Sequence, residues 1–134
     1  KYRFTQTILH MEDYIYKNET GQIISAIFEV HNQLGSGFLE QVYQEALMYE
    51  LISRKIPSIK EKRLDIYYKK RKLDKYYIAD FICFKKIIVE LKATEDLCDE
   101  DVAQVLNYLK ATNFELGLLV NFGTTKAQVR RIIL

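Results

Sequence analysis

Three charged residues lie in two segments that otherwise have the composition of apolar β-strands: Asp80, Glu90 and Lys92. Packing alone does not account for them, because a buried charge without a partner is costly. Glu90 and Lys92 are two residues apart, so in a strand their side chains project from the same face. If the strands pair through a turn at Lys85-Lys86, the carboxylates of Asp80 and Glu90 can converge. Converging carboxylates repel each other and favour a cation between them.

This arrangement predicts a metal site suited to phosphate chemistry. Mg²⁺ is a hard ion that proteins hold with one or two carboxylates together with phosphate oxygens and water. Lys92 could orient or deprotonate an attacking water and offset the charge of a phosphate. The alternative is a Glu-Lys pair on an edge strand facing solvent, which is common in sheets. Spacing alone favours this alternative, because an acid followed by E-x-K is a short motif.

Two pairs of residues on predicted helices could also line a cleft. In Gly37-Phe-Leu-Glu-Gln-Val-Tyr43, Glu40 and Tyr43 are three apart and lie on one helical face. The simpler interpretation is a solvated acid in the first turn and a tyrosine in the core. Gln104 and Tyr108 form an i, i+4 pair that is predicted to fall away from the apolar stripe of its helix. Such a glutamine could orient a water or a phosphate, but an ordinary surface glutamine is the favoured interpretation.

Basic residues cluster around the predicted strands and are interleaved with tyrosines. The candidate nucleic-acid-binding residues are Lys62, Arg63, Lys70, Arg71, Lys72 and Lys75. Cations contact phosphates, and tyrosine rings can stack on bases. The formal net charge is only +2, so a nucleic-acid signal must come from the placement of charge. Solvated turns and charged strand edges are an alternative of similar weight.

The bulk composition indicates one globular domain with a hydrophobic core. The chain has 134 residues, of which 49% are hydrophobic. Cys83 and Cys98 have neither the number nor the spacing of a disulfide framework or a zinc site. No apolar run approaches the ~20 residues of a membrane helix, and no signal-peptide pattern opens the chain. These features favour a cytoplasmic protein without a membrane partner.

The periodicity of apolar residues changes along the chain from helical to strand-like and back. Residues 1–20 are predicted to form an N-terminal arm, and residues 21–134 a single domain. The predicted helices and strands, in order, are Gly21–Leu34, Phe38–Ser53, Lys62–Tyr68, Tyr76–Phe84, Ile87–Ala93, Asp99–Ala111, Phe114–Asn121 and Thr125–Ile133. The predicted order is therefore α-α-β-β-β-α-β-α, a mixed α/β sheet with helices on its faces.

Five blocks of the sequence resemble one known family. They are Leu34-Gly-Ser-Gly-Phe-Leu-Glu-Gln-Val-Tyr43, Tyr77-Ile-Ala-Asp-Phe81, Ile87-Ile-Val-Glu-Leu-Lys-Ala93, Gln104-Val-Leu-Asn-Tyr-Leu-Lys-Ala-Thr112 and Gly117-Leu-Leu-Val-Asn-Phe-Gly123. In this order they are similar to the GxxExxY family, which is placed in the PD-(D/E)XK nuclease-like superfamily. The resemblance covers roughly residues 21–133, and five blocks in register are far more specific than one. It reverses the preference for a solvent-facing Glu-Lys pair.

The resemblance implies a restriction-endonuclease-like core and a Mg²⁺- or Mn²⁺-dependent nuclease acting on DNA or RNA. The implied metal ligands are Asp80, Glu90, the backbone carbonyl of Leu91, and Glu40. The implied catalytic residues are Lys92, Glu40, Gln104 and Tyr108. A nuclease-like fold does not by itself give nuclease activity, so a silent module that binds nucleic acid or a protein remains an alternative. A homo-oligomer or a larger complex is a further expectation, since a core of this size carries no obvious specificity domain.

Overall fold

The computed structural model describes residues 3–5 and 15–134. Its elements, in chain order, are β1 (Arg3–Thr5), α1 (Lys17–Leu34), α2 (Glu40–Ser53), β2 (Ser58–Tyr68), β3 (Arg71–Cys83), β4 (Ile87–Lys92), α3 (Asp99–Thr112), β5 (Leu116–Asn121) and β6 (Gln128–Ile133). Helix α1 thus begins at Lys17 rather than at Gly21. Most of the predicted N-terminal arm, including residues 6–14, lies outside the described residues, and the boundary between arm and domain stays a prediction.

The strands form one six-stranded mixed sheet in the order β1-β6-β5-β4-β3-β2. Strands β4 and β5 are parallel, and the other neighbouring pairs are antiparallel. Parallel neighbours need a crossover connection, which here is α3. The predicted mixed α/β class is therefore confirmed.

Helices cover both faces of the sheet and divide the core in two. Helices α1 and α2 pack on one face, around Ile27, Leu47 and Val89. Helix α3 packs on the other face, around Val105 and Ile88. Successive residues of β4 therefore pack alternately into the two cores, as expected for a strand that is buried on both sides.

Two tight turns connect the first three long strands. Lys69 and Lys70 join β2 to β3 and have φ angles of 49° and 68°. Phe84 and Lys85 lie in the turn between β3 and β4 and have φ angles of 55° and 62°. Left-handed backbone in both turn residues matches the twist of antiparallel strands. Residues 69–75, which separate the predicted strands Lys62–Tyr68 and Tyr76–Phe84, are therefore mostly strand, because β3 already begins at Arg71.

Strand β3 loses its regular alternation at Asp80. Ala79 and Ile82 both belong to the core beneath α3, whereas Phe81 belongs to the core beneath α1 and α2. In a regular strand, Ala79 and Phe81 would face the same side. In the neighbouring strand, Glu61 has a φ of 54°, and the β2–β3 ladder passes from Lys60↔Phe81 to Lys62↔Ala79. The irregularity thus falls at the residue predicted to bind metal.

The predicted C-terminal helix over Thr125–Ile133 is wrong, because this segment contains strand β6. Apolar residues at Val129, Ile132 and Ile133 have helical spacing, and the sequence around them contains good helix formers. However, β6 pairs with both β5 and β1 and places Ile132 fully buried in the core beneath α3. Pairing on two sides outweighs local helix propensity.

Candidate functional site

Asp80 and Glu90 come together where strands β3 and β4 separate. The last ladder pair between these strands is Phe81↔Val89. Beyond it, the backbone amide of Asp80 donates a hydrogen bond of 3.1 Å to Oε1 of Glu90. The amide of Leu91 donates one of 2.8 Å to Oδ2 of Asp80. Two carboxylates therefore accept hydrogen bonds that a regular ladder would direct to backbone carbonyls.

Burial makes the charged forms of these two carboxylates costly. Glu90 is only 6% exposed. Its burial, with the neighbouring charge of Asp80 as a second cause, raises the pKa of Glu90 to about 8. Burial also raises the pKa of Asp80, although the hydrogen bond from the Leu91 amide acts in the opposite direction. A bound cation would stabilise the charged forms of both carboxylates, so the pair is suited to a cation site.

Lys92 lies within electrostatic range of three carboxylates from three different elements. Its ammonium favours the charged forms of Glu40, Asp80 and Glu90. It also lies 3.7 Å from Oδ1 of Asp101, in the first turn of α3. Lys92 is mostly buried, with 18% of its side chain exposed. The E-x-K spacing therefore places the lysine beside the carboxylate pair, rather than on a solvent-facing edge.

Asp101, an acid in the first turn of α3, is a site residue that the sequence did not single out. Its Oδ2 accepts a hydrogen bond of 3.0 Å from the backbone amide of Cys98, which is the residue that precedes α3. One carboxylate thus caps the helix and also contacts Lys92. This double contact ties the start of α3 to the end of β4.

The Gly37-x-x-Glu40-x-x-Tyr43 segment consists of a short turn at Gly37 followed by the first residues of α2. It places Glu40 near the carboxylate of Asp80. Gly37 has a φ of 115°, which residues with a side chain rarely adopt. Tyr43 is fully buried, and its hydroxyl donates a hydrogen bond of 2.5 Å to the carbonyl of Gly35. The ring of Tyr43 stacks on Phe122, with 4.5 Å between centroids. The core interpretation of Tyr43 is therefore correct.

Glu40 is the first residue of α2 and stands at the exposed mouth of a cleft. Desolvation raises the pKa of its carboxyl, while the nearby ammonium of Lys92 lowers it. The cleft has a volume of about 130 Å³, and its lining residues are Glu40, Gln41, Gln44, Glu61 and Asp80. The predicted helical glutamate therefore shares a cleft with Asp80.

Three lining residues of this cleft, Gln41, Gln44 and Glu61, were not predicted from the sequence. Gln44 donates a hydrogen bond of 2.9 Å from Nε2 to Oδ1 of Asp80. It lies one helical turn after Glu40, so the i, i+4 rule could have suggested it. Glu61 reaches the cleft through its left-handed backbone conformation. No local sequence pattern indicates that irregularity.

Tyr108 is not on the exposed side of α3, as its spacing suggested, but 96% buried beneath the helix, with 4% of its surface exposed. It belongs to the same buried set as Val105 and Leu109, because the buried face of α3 is wider than the predicted stripe. Burial raises its pKa, and the carboxylates of Glu90 and Asp80 raise it further. Gln104 is partly buried, and its side chain lies near the hydroxyl of Tyr108 and lowers the pKa of that group.

The donor set at the end of β4 fits a hard divalent cation. Asp80 and Glu90 supply two carboxylates that repel each other, and Leu91 supplies an adjacent backbone carbonyl. No group of three or more His, Cys, Asp or Glu side chains among the described residues could hold a metal ion by side chains alone. Any cation here would therefore also need the main chain, water or substrate as ligands, which is the usual mode of Mg²⁺.

A comparison with protein-family models decides the family. The model of the PD-(D/E)XK nuclease superfamily matches residues 17–132. The chain belongs to the PD-(D/E)XK nuclease superfamily. The restriction-endonuclease-like core that the resemblance implied is thereby confirmed. No curated protein and no solved structure gives a significant match.

Eight of the 20 lysines and arginines of this superfamily member lie on the β2–β3 hairpin. The six candidate nucleic-acid-binding residues, Lys62, Arg63, Lys70, Arg71, Lys72 and Lys75, are all exposed. Arg63 lies over the ring of Tyr76, 3.9 Å from its centroid, and donates a hydrogen bond to Asp65. Lys72 lies 3.9 Å from Asp65, a separation at the limit of an ion pair. Strand β2 is at the edge of the sheet, so a charged strand edge remains an alternative.

The two cysteines of this superfamily member are free thiols in different surroundings. Cys83 is buried in the core, and burial raises the pKa of its thiol to about 12. Cys98 is exposed. Among the described helices, none combines the length and the apolar composition needed to cross a bilayer.

Proposed function

We propose that this protein hydrolyses phosphodiester bonds of DNA or RNA with the help of Mg²⁺ or Mn²⁺. The observation that carries the proposal is the grouping of Asp80, Glu90 and Lys92 at the point where β3 and β4 separate. Membership of a nuclease superfamily supports it, and the raised pKa of Glu90 supports a cation between the carboxylates.

The proposed metal ligands are Asp80, Glu90 and the carbonyl of Leu91, with Glu40 completing the site from α2. When bound, the metal would supply Lewis acidity and lower the pKa of a bound water. Gln44 holds Asp80 through a hydrogen bond of 2.9 Å, and the Leu91 amide fixes the other oxygen of that carboxylate. The protein therefore orients this ligand before any cation binds.

The proposed role of Lys92 is to orient the attacking water and to stabilise the developing charge on the phosphate. Asp101 limits the positions that the ammonium can take, since it contacts the lysine from the first turn of α3. Gln104 is proposed to orient a water or a phosphate oxygen, and the neighbouring hydroxyl of Tyr108 to support it. Positioned charges of this kind supply much of the catalysis in phosphoryl transfer.

The basic hairpin is the proposed contact surface for nucleic acid. Its exposed cations would neutralise phosphates, and Tyr67 and Tyr68 are exposed near its tip. Assignment to the GxxExxY family, a cytoplasmic location and assembly into a homo-oligomer or larger complex belong to the same proposal. The Gly37-x-x-Glu40-x-x-Tyr43 turn supports the family assignment, because all three residues have distinct structural roles.

The test combines metal titration with cleavage on the same samples. Mn²⁺ and Mg²⁺ are titrated by calorimetry into the wild type and into an Asp80→Asn/Glu90→Gln variant. A pool of single- and double-stranded DNA and RNA is then incubated with each protein. Asp74→Asn is the matched control, because Asp74 lies on the same strand and is exposed.

We expect metal binding and cleavage by the wild type and by the Asp74→Asn control, and neither by the double variant. Cleavage by the double variant would contradict the proposed site. If the wild type binds nucleic acid in EDTA but cuts nothing with metal, the silent binding module replaces the proposed nuclease.

A further inference from the structure

A second cavity, which we call the α3 pocket, lies on the face of the sheet that α3 covers. It is beside the carboxylate pair of Asp80 and Glu90, which we call the acidic site. Its volume is about 280 Å³, and its lining residues are Tyr77, Glu100, Ala103, Gln104, Asn107 and Tyr108. Sites for drug-sized ligands usually start at ~300 Å³, so this pocket suits a small planar group. Tyr77 and Tyr108 provide aromatic walls, with 5.3 Å between ring centroids.

The polar lining of the α3 pocket includes a carboxylate and two amide oxygens that can accept hydrogen bonds. Oε1 of Gln104, a lining residue, is shielded from solvent and has no donor among the described residues, so a ligand would reach it after the side chain rotates toward the pocket. A buried acceptor without a partner costs free energy, which a bound donor would recover. Glu100 adds a carboxylate from the first turn of α3, and Asn107 adds an exposed amide. The pocket is therefore prepared for a ligand that donates hydrogen bonds.

The α3 pocket is also electrostatically connected to the acidic site. The carboxylates of Glu90 and Asp80 both act on the hydroxyl of Tyr108, which lines the pocket. Gln104, which carries the unpaired oxygen, acts on the pKa of the same tyrosine. Tyr77 lies on β3 three residues before Asp80, and Tyr108 packs in the same core as Ile88 of β4, so a nucleotide with its phosphate at the acidic site would have a neighbouring base or sugar near this pocket.

We propose that the α3 pocket binds an unpaired, amino-bearing nucleobase of the substrate strand, next to the phosphate that is cleaved. This inference rests on the proposed function and narrows its substrate class to single-stranded or frayed nucleic acid. Adenine, cytosine and guanine carry exocyclic amino groups that can donate to Gln104 and Glu100, whereas uracil and thymine carry none. Aromatic rings favour bases because a base can stack on them.

The acidic lining excludes a phosphate as the occupant. The Glu100 carboxylate would repel it, and none of the lining residues is a lysine or an arginine. A base in a duplex is also excluded, since its amino groups are already paired and stacked. Extruding or fraying one base costs a few kcal/mol, which the aromatic contacts and the unpaired acceptor would offset.

The test is protein-observed NMR with mononucleotides, which contain no bond for the enzyme to cut. Cytidine 5′-monophosphate, uridine 5′-monophosphate and inorganic phosphate are titrated separately into the full chain, with and without Mg²⁺. The backbone amides of Ala103 and Asn107 report on the α3 pocket. Cytidine and uridine form a matched pair, because they share ring size and differ only at C4, where cytosine has an amino group and uracil a carbonyl, and at N3, which is an acceptor in cytosine and a donor in uracil.

Two variants make the test specific. Ala103→Phe fills the pocket from an exposed helical position, so the fold should tolerate it. Ile52→Phe adds the same ring at another exposed helical position, on α2. Ala103→Phe should retain the wild-type affinity for Mn²⁺, which shows that the acidic site is intact.

We expect saturable shifts at Ala103 and Asn107 with cytidine monophosphate, about tenfold weaker binding of uridine monophosphate, and no such shifts with phosphate. Ala103→Phe should lose the shifts at Asn107, and Ile52→Phe should keep them. Equal affinity for cytidine and uridine monophosphate overturns the inference, as does undiminished binding by Ala103→Phe. Pocket binding without any oligonucleotide cleavage supports the inference and refutes only the nuclease. Cleavage without pocket binding supports the proposed nuclease and refutes the inference.

Discussion

The backbone amide of Asp80 donates a hydrogen bond of 3.1 Å to Oε1 of Glu90, the acidic residue of the neighbouring strand. In return, Oδ2 of Asp80 accepts a hydrogen bond from the amide of Leu91, the residue after Glu90. Strands β3 and β4 are thus joined at this point by side chains instead of a regular ladder. The price is the burial of two carboxyl groups whose charged forms are costly there, which an apolar pair would avoid. Such a cost at one place in a fold is typical of a functional site.

Lys92→Ala should reduce cleavage by on the order of 100-fold or more, with little change in metal affinity. The reason is that Lys92 faces the substrate side of the carboxylates in the proposed mechanism, whereas the metal ligands are other residues. Cleavage rates and Mn²⁺ calorimetry measure the two effects. Lys85→Ala is the control, since Lys85 is an exposed turn residue. Unchanged cleavage by Lys92→Ala would falsify the role proposed for it.

Glu90→Gln should stabilise the metal-free protein at pH 8.5 and have little effect at pH 4. The folded pKa of Glu90 is raised to about 8 from its ordinary 4.5. The folded wild type therefore binds a proton that the unfolded chain has released, and it loses stability as the pH rises from 4.5 to 8. The variant avoids this loss, which we expect to be on the order of 1–3 kcal/mol.

Urea unfolding in EDTA at the two pH values measures this difference. Glu95→Gln serves as the control, because Glu95 is exposed in the loop before α3. A gain in stability from Glu90→Gln that is equally large at pH 4 would contradict the assignment to an ionised Glu90. Saturating Mg²⁺ should stabilise the wild type at pH 8.5 but not the variant.

Tyr43→Phe should destabilise the protein by about 1–3 kcal/mol and reduce cleavage. The variant keeps the ring that stacks on Phe122 but removes the hydroxyl that holds the carbonyl of Gly35. The turn before Glu40 would then be less well fixed. Thermal unfolding and cleavage rates measure the two effects. Tyr49→Phe, on the exposed side of α2, should change neither. An unaffected Tyr43→Phe variant would show that the turn needs no such anchor.

Replacing Lys70, Arg71, Lys72 and Lys75 by alanine should weaken nucleic-acid binding and flatten its salt dependence. Each phosphate contact contributes about 0.7 to 0.9 to the slope of log K against log salt. Binding anisotropy at several salt concentrations measures the slope. The control variant replaces four exposed lysines elsewhere, namely Lys55, Lys85, Lys110 and Lys126. Equal slopes for both variants would mean that net charge, not the hairpin, governs binding.

Most of the predicted elements are present because each has a local signal. Ile87–Lys92 is a continuous apolar run with two charged residues, and it is a central strand. Asp99–Thr112 has acids in its first turn and is the crossover helix. The C-terminal strand could not be predicted in the same way, since its residues have helical spacing and its strand partners are remote in sequence.

The sequence by itself determined that the side chains of Glu90 and Lys92 lie on one face of a strand, because they are two residues apart. It also determined the turn at Gly37, since glycine tolerates the left-handed backbone found there. Only the tertiary structure decided that Gln44, Glu61 and Asp101 surround this site. These residues reach it through helix packing, a broken ladder and a helix cap, which depend on contacts between distant parts of the chain.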